Sequence, residues 1–476
     1  MNSPFSNTAT EHDLVELRPS SGAVPEDLRG AYIKNGPGDF KVNCEPMEHW
    51  FDGFAMLRAF YFDSGRVRYQ AKYLQTRGYT ETRRRGRLRF PMFAATPKFR
   101  WWEYLREVIK GRQSGHNANI SVEEIAGRYF ALTESKGMTE FDPATLEVIE
   151  QFEFDDKVNQ KSKSTTAHPI PDQARGELVN FETVPGPMFW HHYFKVDTST
   201  LERQMIGKVG GRFPSYIHSF GMSGRYIIHI DFPLVAFPVS LLLRFGFLSY
   251  AGLFKWKPEF GTRISLINRA TGEVDHTFEA EPFFAFHTAN AWDDGDEVVF
   301  DICAWPSSKI IANLTLDALQ TSDARTVEEQ ALLTRYRLDL VSGEVSHEVL
   351  SEKHLETPVF NEEFRFRPYR FCYGVGSDGD RFDNSIVKID LAGGAVREWS
   401  EDGVYAGEPV FLPSAGDGAA EDDGRLLSIV VSPEEDASFL LVLSAVDLSE
   451  ICRIPIPGYT VPSVHGSFFP DGVPRS

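Results

Sequence analysis

A chain of 476 residues, 42% hydrophobic and 13% aromatic, can bury a sizeable core, either as two or three ordinary domains or as one large repeat-built β fold. Its formal net charge of -19 excludes general affinity for nucleic acid. Cys44, Cys303, Cys372 and Cys452 stand singly, without CxxC spacing, which argues against a disulfide scaffold and against a cysteine-based zinc site.

The opening stretch MNSPFSNTATEHDLVEL is polar and acidic and lacks the basic-then-apolar order of a signal peptide, so a cytoplasmic chain is expected. Beyond it one unit recurs: an extended apolar run ending in an acid or amide, a short turn, and a second extended run. The copies are FYFDSGRVRYQ at Asp63, EFDPATLEVIE at Asp142, KVDTSTLERQ at Asp197, LINRATGEVDH at Asn268, RLDLVSGEVSH at Asp339, KIDLAGGAVREW at Asp390 and AVDLSEICRI at Asp447. Each reads as a hairpin, because Asp or Asn can accept from the backbone ahead of it and Gly adopts positive φ at no steric cost. Their recurrence at roughly 50 to 80 residues approaches the period of propeller blades that carry insertions. An irregular β-sandwich, or a pair of them, is the competing architecture.

Two stretches depart from this pattern. Arg83 to Lys110 sets a cluster of arginines beside Phe90, Phe93, Phe99, Trp101 and Trp102, and Phe232 to Lys257 is apolar and long enough to span a bilayer by length alone. Pro233, Pro238 and Arg244 oppose a spanning helix. The expectation is a loop-and-helix insertion that dips into one leaflet, with the arginines, Lys255 and Lys257 meeting headgroups; a cap packed on the propeller is the alternative.

Four histidines far apart in sequence share apolar flanks: His168 in TTAHPIP, His218 in SYIHSFGMS, His287 in FFAFHTANAW and His465 in VPSVHGSFFP. They fall in different intervals between the turns, so on a propeller they can face one point on the axis. Four neutral imidazoles suit iron, copper, zinc or nickel, and they leave the ion's charge unneutralised, so carboxylates are needed behind them. His49, His191, His192 and His229 look tempting by neighbourhood but fall on no such motif.

From LRGAYIKNGPGDF and EHWFDGFAMLRAF, through TAHPIPDQARGEL, FHTANAWDDGDEVVFDICAW and AGEPVFLP, to VHGSFFP, the chain resembles a carotenoid cleavage oxygenase, nearest the branch of the β-carotene oxygenases and the retinoid isomerohydrolase. The resemblance implies an all-β, seven-bladed β-propeller over residues 1–476, with a helical or loop cap from insertions at about 83–116 and 232–258. It implies Fe(2+) held by His168, His218, His287 and His465. Three glutamates come behind the rings: Glu134 for His218, Glu356 for His287 and Glu408 for His465. Phe90, Thr133 and Trp305 become candidates for the wall of a substrate tunnel. The implied reaction is cleavage of a conjugated C=C of a carotenoid or apocarotenoid by dioxygen, retinal being one product if the cut is central, by an enzyme peripherally associated with a membrane surface. Thr133 stands where the stilbene-cleaving branch has a lysine for phenols, which turns the expectation from phenolic substrates towards hydrocarbons. A non-redox retinoid isomerohydrolase on the same iron scaffold, a stilbene-type dioxygenase, and a metal-free propeller that binds protein partners are the other readings.

Overall fold

In a computed structural model of the chain, the residues described are 3–98 (apart from 6 and 44), 103, 115–184, 189–211, 213–237, 249–320, 329–377, 383–414, 416 and 419–470. Cys44, Phe99, Trp101, Trp102, Pro238 and Arg244 lie outside them, as does much of both expected insertions.

The chain forms a seven-bladed β-propeller. Its seven antiparallel sheets follow one another in sequence, each running from a short inner strand to an outer hairpin. Blade 1 is the exception that closes the ring. Its innermost strand is the last of the chain, Gly466–Phe469, paired with Gly30–Lys34 in the register Ala31↔Phe469 to Lys34↔Gly466. Two N-terminal strands extend outer edges: His12–Leu17 lies beside Arg66–Tyr73 in blade 1, and Ser21–Gly22 beside Glu450–Ile456 in blade 7.

Burial follows radial position. Gly30–Lys34 is buried throughout and Phe54–Asp63 nearly so, because both faces of a middle strand meet neighbouring blades. Outer strands such as Val148–Phe152 are largely exposed. A run of apolar residues there would have no partner sheet to cover it.

The seven predicted hairpins each fall in a different blade and join its outer strands. In the copies at Asp142, Asp197, Asn268 and Asp339 the side-chain oxygen accepts from the second and third amides ahead, and Asp390 does the same. The fifth residue then turns left-handed: Leu146, Leu201, Gly272, Gly343 and Gly394 all have positive φ. Two copies differ. The Asp63 turn has only two central residues, Ser64 and Gly65, both at positive φ, as a tight hairpin with right-handed twist requires. In the last, Ser444 holds the place of the aspartate and Leu448 the left-handed position; Asp447 instead accepts from the Ser449 amide, as Thr145 does from Glu147.

The insertions are partly described. Thr76 caps helix Arg77–Arg85 and Gly86 ends it in the left-handed conformation. Three of its four arginines are engaged within the fold: Arg83 pairs with Asp39 and lies over Phe54 and Tyr79, while Arg77 and Arg85 meet Glu81. The described ends of the second stretch are strands, Leu234–Ala236 against Phe254–Trp256. Leu234, Val235 and Ala236 are buried in this ribbon, which Val235 ties back to Ser215 of the blade 4 entry. Among the described residues no helix is long and apolar enough to cross a membrane.

Candidate metal centre

Each blade contributes one of seven side chains to the axis. His465 directly precedes the inner strand of blade 1, and His287 directly precedes that of blade 5, Thr288–Asp294. His168 falls in a break of the inner strand of blade 3, between Ser164–Thr165 and Ile170–Asp172, both of which pair with Glu177–Val184. His218 enters blade 4 ahead of Gly221–Met222. Glu134 follows Arg128–Leu132 in blade 2 and Glu356 starts Glu356–Val359 in blade 6. Glu408 sits in a break like that of His168, between Tyr405–Ala406 and Val410–Pro413 of blade 7. Interrupting the innermost strand frees a side chain that a continuous ladder would direct into a neighbouring blade.

The four imidazoles meet. Their ligand atoms all lie within 4.8 Å of one another, with Nε2 of His168 and His218 2.9 Å apart and Nε2 of His287 and His465 3.3 Å apart. Nitrogens bound at right angles to one ion about 2.1 Å away stand about 3 Å apart. The ring centroids are separated by 4.5 Å (His168 to His218), 4.5 Å (His168 to His465), 4.9 Å (His287 to His465), 5.1 Å (His168 to His287) and 5.1 Å (His218 to His287). His218 to His465 is the one long separation, 6.4 Å. His218 and His465 are thus the pair set farthest apart across the cluster.

The glutamates stand behind the rings in the expected pairing. Glu134 accepts from Nδ1 of His218 at 2.6 Å, Glu356 from Nδ1 of His287 at 2.7 Å and Glu408 from Nδ1 of His465 at 2.8 Å. Each acid is held by a further donor of a different kind: the Tyr216 hydroxyl on Glu134 at 2.8 Å, the Trp305 indole on Glu356 at 2.5 Å and the Lys34 ammonium on Glu408 at 2.6 Å. Among the described residues His168 has no carboxylate partner.

This arrangement fixes the tautomers. A carboxylate accepts only, so the single proton of each paired ring sits on Nδ1 and the lone pair of Nε2 points inward. Nε2 of His287 and Nε2 of His465 therefore turn lone pairs towards each other at 3.3 Å. A proton is a poor remedy, because burial pushes His465 down to about 4, against the opposing pull of Glu408. His168 is held well below its ordinary value by burial and by the other three rings. Burial alone would raise Glu408, but Lys34 and His465 outweigh it and hold the acid at about 2. Neutral donors ringed by fixed anions are what a divalent cation requires, and the cluster is able to bind a metal.

Of the expected tunnel residues, Trp305 is buried behind His287, its N–H spent on Glu356. Phe90 is buried with the guanidinium groups of Arg77 and Arg89 over its ring. Thr133 lines a small apolar cleft between blades 2 and 3, with Thr166 and Pro169. The rings nearest the histidines belong to other residues. Phe286 lies 5.3 Å from His218, Phe51 6.0 Å from Phe286, Phe93 5.2 Å from Phe51, and Tyr250 5.9 Å from Phe93. Lys34 and Tyr216 also went unnoticed from sequence, although a lysine inside the apolar run AYIK is a signal that a buried acid awaits it.

Comparisons with known proteins agree with this geometry. The family model described as Retinal pigment epithelial membrane protein matches residues 5–470. Carotenoid cleavage dioxygenase 8, chloroplastic, of Arabidopsis thaliana is 30% identical over 94% of this chain and 82% of its own length. Carotenoid-cleaving dioxygenase, mitochondrial, of Macaca fascicularis is 28% identical over 94% and 91%. The crystal structure of cobalt-substituted Synechocystis ACO has the same fold, with a TM-score of 0.84 at 24% identity over 98% of this chain and 97% of that one. With its full ring of blades and the histidines gathered on their axis, the chain belongs to the retinal pigment epithelial membrane protein family, the family of the carotenoid cleavage oxygenases.

Proposed function

We propose that the chain is an Fe(II)-dependent dioxygenase that cleaves one conjugated C=C of a carotenoid or apocarotenoid, each carbon of the broken bond gaining one oxygen atom of dioxygen as a carbonyl. The observation that carries this reading is the quartet of inward Nε2 atoms with three Nδ1 atoms locked on carboxylates. Relatives named for carotenoid cleavage supply the substrate class.

His168, His218, His287 and His465 would hold the ion. Fe(II) held there would supply the electron density that activates dioxygen towards an electron-rich double bond. The protein's own contribution is position. Glu134, Glu356 and Glu408 keep the rings oriented, each with its Nδ1 proton held and its Nε2 turned inward. Phe286, Phe51, Phe93 and Tyr250 form an aromatic file from the histidines to both insertions, an apolar guide that aligns a polyene and excludes water. Because Phe93 and Tyr250 belong to the two insertions, we place the entrance there, facing a membrane surface from which the substrate arrives. Trp305 acts in this reading by holding Glu356.

The test supplies iron-loaded protein and labelled dioxygen to β-carotene, an apocarotenal, a retinyl ester and resveratrol, with products identified by chromatography and mass. Two labelled carbonyl fragments from a polyene are expected. Turnover of the ester without label would make the enzyme an isomerohydrolase, and cleavage of resveratrol alone would remove the carotenoid assignment. Co-sedimentation with liposomes tests the membrane entrance.

A further inference from the structure

Away from the axis, a second group of metal-ligating side chains joins blade 3 to blade 4. We propose that His191, His229 and Asp231 form a structural site for a divalent first-row metal ion, with Zn2+ preferred.

His191 lies on Phe189–Asp197 of blade 3, and His229 and Asp231 on Tyr226–Asp231 of blade 4. The last two are two residues apart and so share one face of their strand. The ring centroids of His191 and His229 are 4.8 Å apart, and ligand atoms of all three residues lie within 4.8 Å of one another.

Three features distinguish this group from an ordinary buried polar cluster. Each ring has its Nδ1 on a hydroxyl, Thr183 for His191 at 3.2 Å and Tyr193 for His229 at 2.9 Å. Outer partners on Nδ1 are how metal-binding imidazoles are commonly oriented, with Nε2 left for the ion. Nε2 of His229 is 3.2 Å from Oδ1 of Asp231, while His191 is bonded through Nδ1 and its Nε2 has no hydrogen bond among the described residues. The other carboxylate oxygen, Oδ2 of Asp231, is buried without a hydrogen-bond partner among the described residues, a costly state that a cation would relieve. Arg263, opposite Asp231 in register, acts on it through charge, and no hydrogen bond joins the two among the described residues. Lastly, Gly211 leaves the space open: a Cβ there would stand 2.9 Å from the carbonyl oxygen of Phe213 and 3.3 Å from Oδ1 of Asp231.

The charge state also suits an ion. Asp231 brings the negative charge that the axial histidines lack in their own ligand set. Two imidazoles and one carboxylate are a set that Zn2+ takes. The Asp231 side chain keeps 13% of its surface exposed while that of His229 is sealed, so an ion enters from the carboxylate side.

The full chain is stripped with a chelator, reloaded with Zn2+ and counted by elemental analysis, alongside D231N and H191Q. The wild type is expected to hold one equivalent more than either variant, and Zn2+ to raise its melting temperature by more. Equal counts in all three proteins overturn the site. Should either variant fail to fold, crystals of the unaltered protein soaked in Zn2+ decide: an anomalous peak at the zinc edge among the three side chains supports the site, and its absence refutes it.

Discussion

Lys34 and Glu408 form an ion pair beside the axis, Nζ 2.6 Å from Oε2, in which the lysine side chain has no exposed surface. The ammonium also reaches the Glu408 carbonyl at 3.1 Å, and the second carboxylate oxygen holds His465. One strand register explains it: Lys34 lies opposite Gly466, so closing the ring carries the lysine to the residue after the ligand. Removing one member of a buried pair costs about 3–5 kcal/mol, and disturbing a ligand's outer partner weakens a metal about 10–100-fold. Lys34→Met is therefore expected to lower the urea midpoint and to release metal to a chelator at least tenfold more readily. A K34M protein that matches the wild type in both would show the pair to be incidental.

Trp305 offers a milder test of the same design. Its indole gives Glu356 a hydrogen bond to the oxygen not used by His287. Trp305→Phe keeps most of the ring volume and deletes that donor, which for a buried acceptor costs about 1–3 kcal/mol. Differential scanning calorimetry should show a lower melting temperature, and chelator competition a weaker metal. If only substrate KM changes and metal retention does not, Trp305 belongs to the tunnel wall instead.

Gly466 is a packing position with no room for a side chain. A Cβ there would stand 2.6 Å from Cδ of Lys34 and 2.7 Å from the carbonyl oxygen of Ile33. Gly466→Ala must push apart the two strands that close the propeller, at about 1–3 kcal/mol. Thermal melts are expected to show the loss, with weaker metal retention because His465 is the preceding residue. Equal stability of G466A and the parent would contradict the register.

Acid should destabilise the metal-free protein from an early point. Burial pushes His49 and His354 each down to about 4, and each ring accepts a backbone N–H on Nδ1, from Phe51 and Ala331 respectively. The folded rings therefore stay neutral while the unfolded chain takes up protons near pH 6.5. Below that value the unfolded state binds more protons, so stability falls as pH drops from about 6.5 to about 4 and levels off beneath, by on the order of 1–3 kcal/mol per ring. Urea midpoints measured between pH 7 and pH 5 should decline, and less so in the H49Q/H354Q double variant. A flat profile would show that these rings titrate normally.

The repeat was legible because its signal is local. An Asx side chain and a left-handed residue define a turn within six positions, and five of the seven copies were read at the right residue; the seventh aspartate lies three residues past the place held by Ser444. The ligand and glutamate positions were legible through motif resemblance, and the geometry brings those seven side chains together. What escaped was set by pairing between distant strands. Lys34 needs the C-terminal strand to give it meaning, and Tyr216, two residues before His218, faces the same acid only once blade 2 is beside it. The arginines near residue 83 were legible as charge but not as partners of Asp39 and Glu81. His191 and His229, set aside for want of a motif, meet across two blades whose contact no spacing reveals.

The most direct test of the central claim is an anomalous difference map at the iron edge from crystals loaded with Fe(II) under anaerobic conditions. A single peak within bonding distance of Nε2 of His168, His218, His287 and His465 is predicted. Iron absent from that point, or bound by fewer than these four rings, would contradict the account.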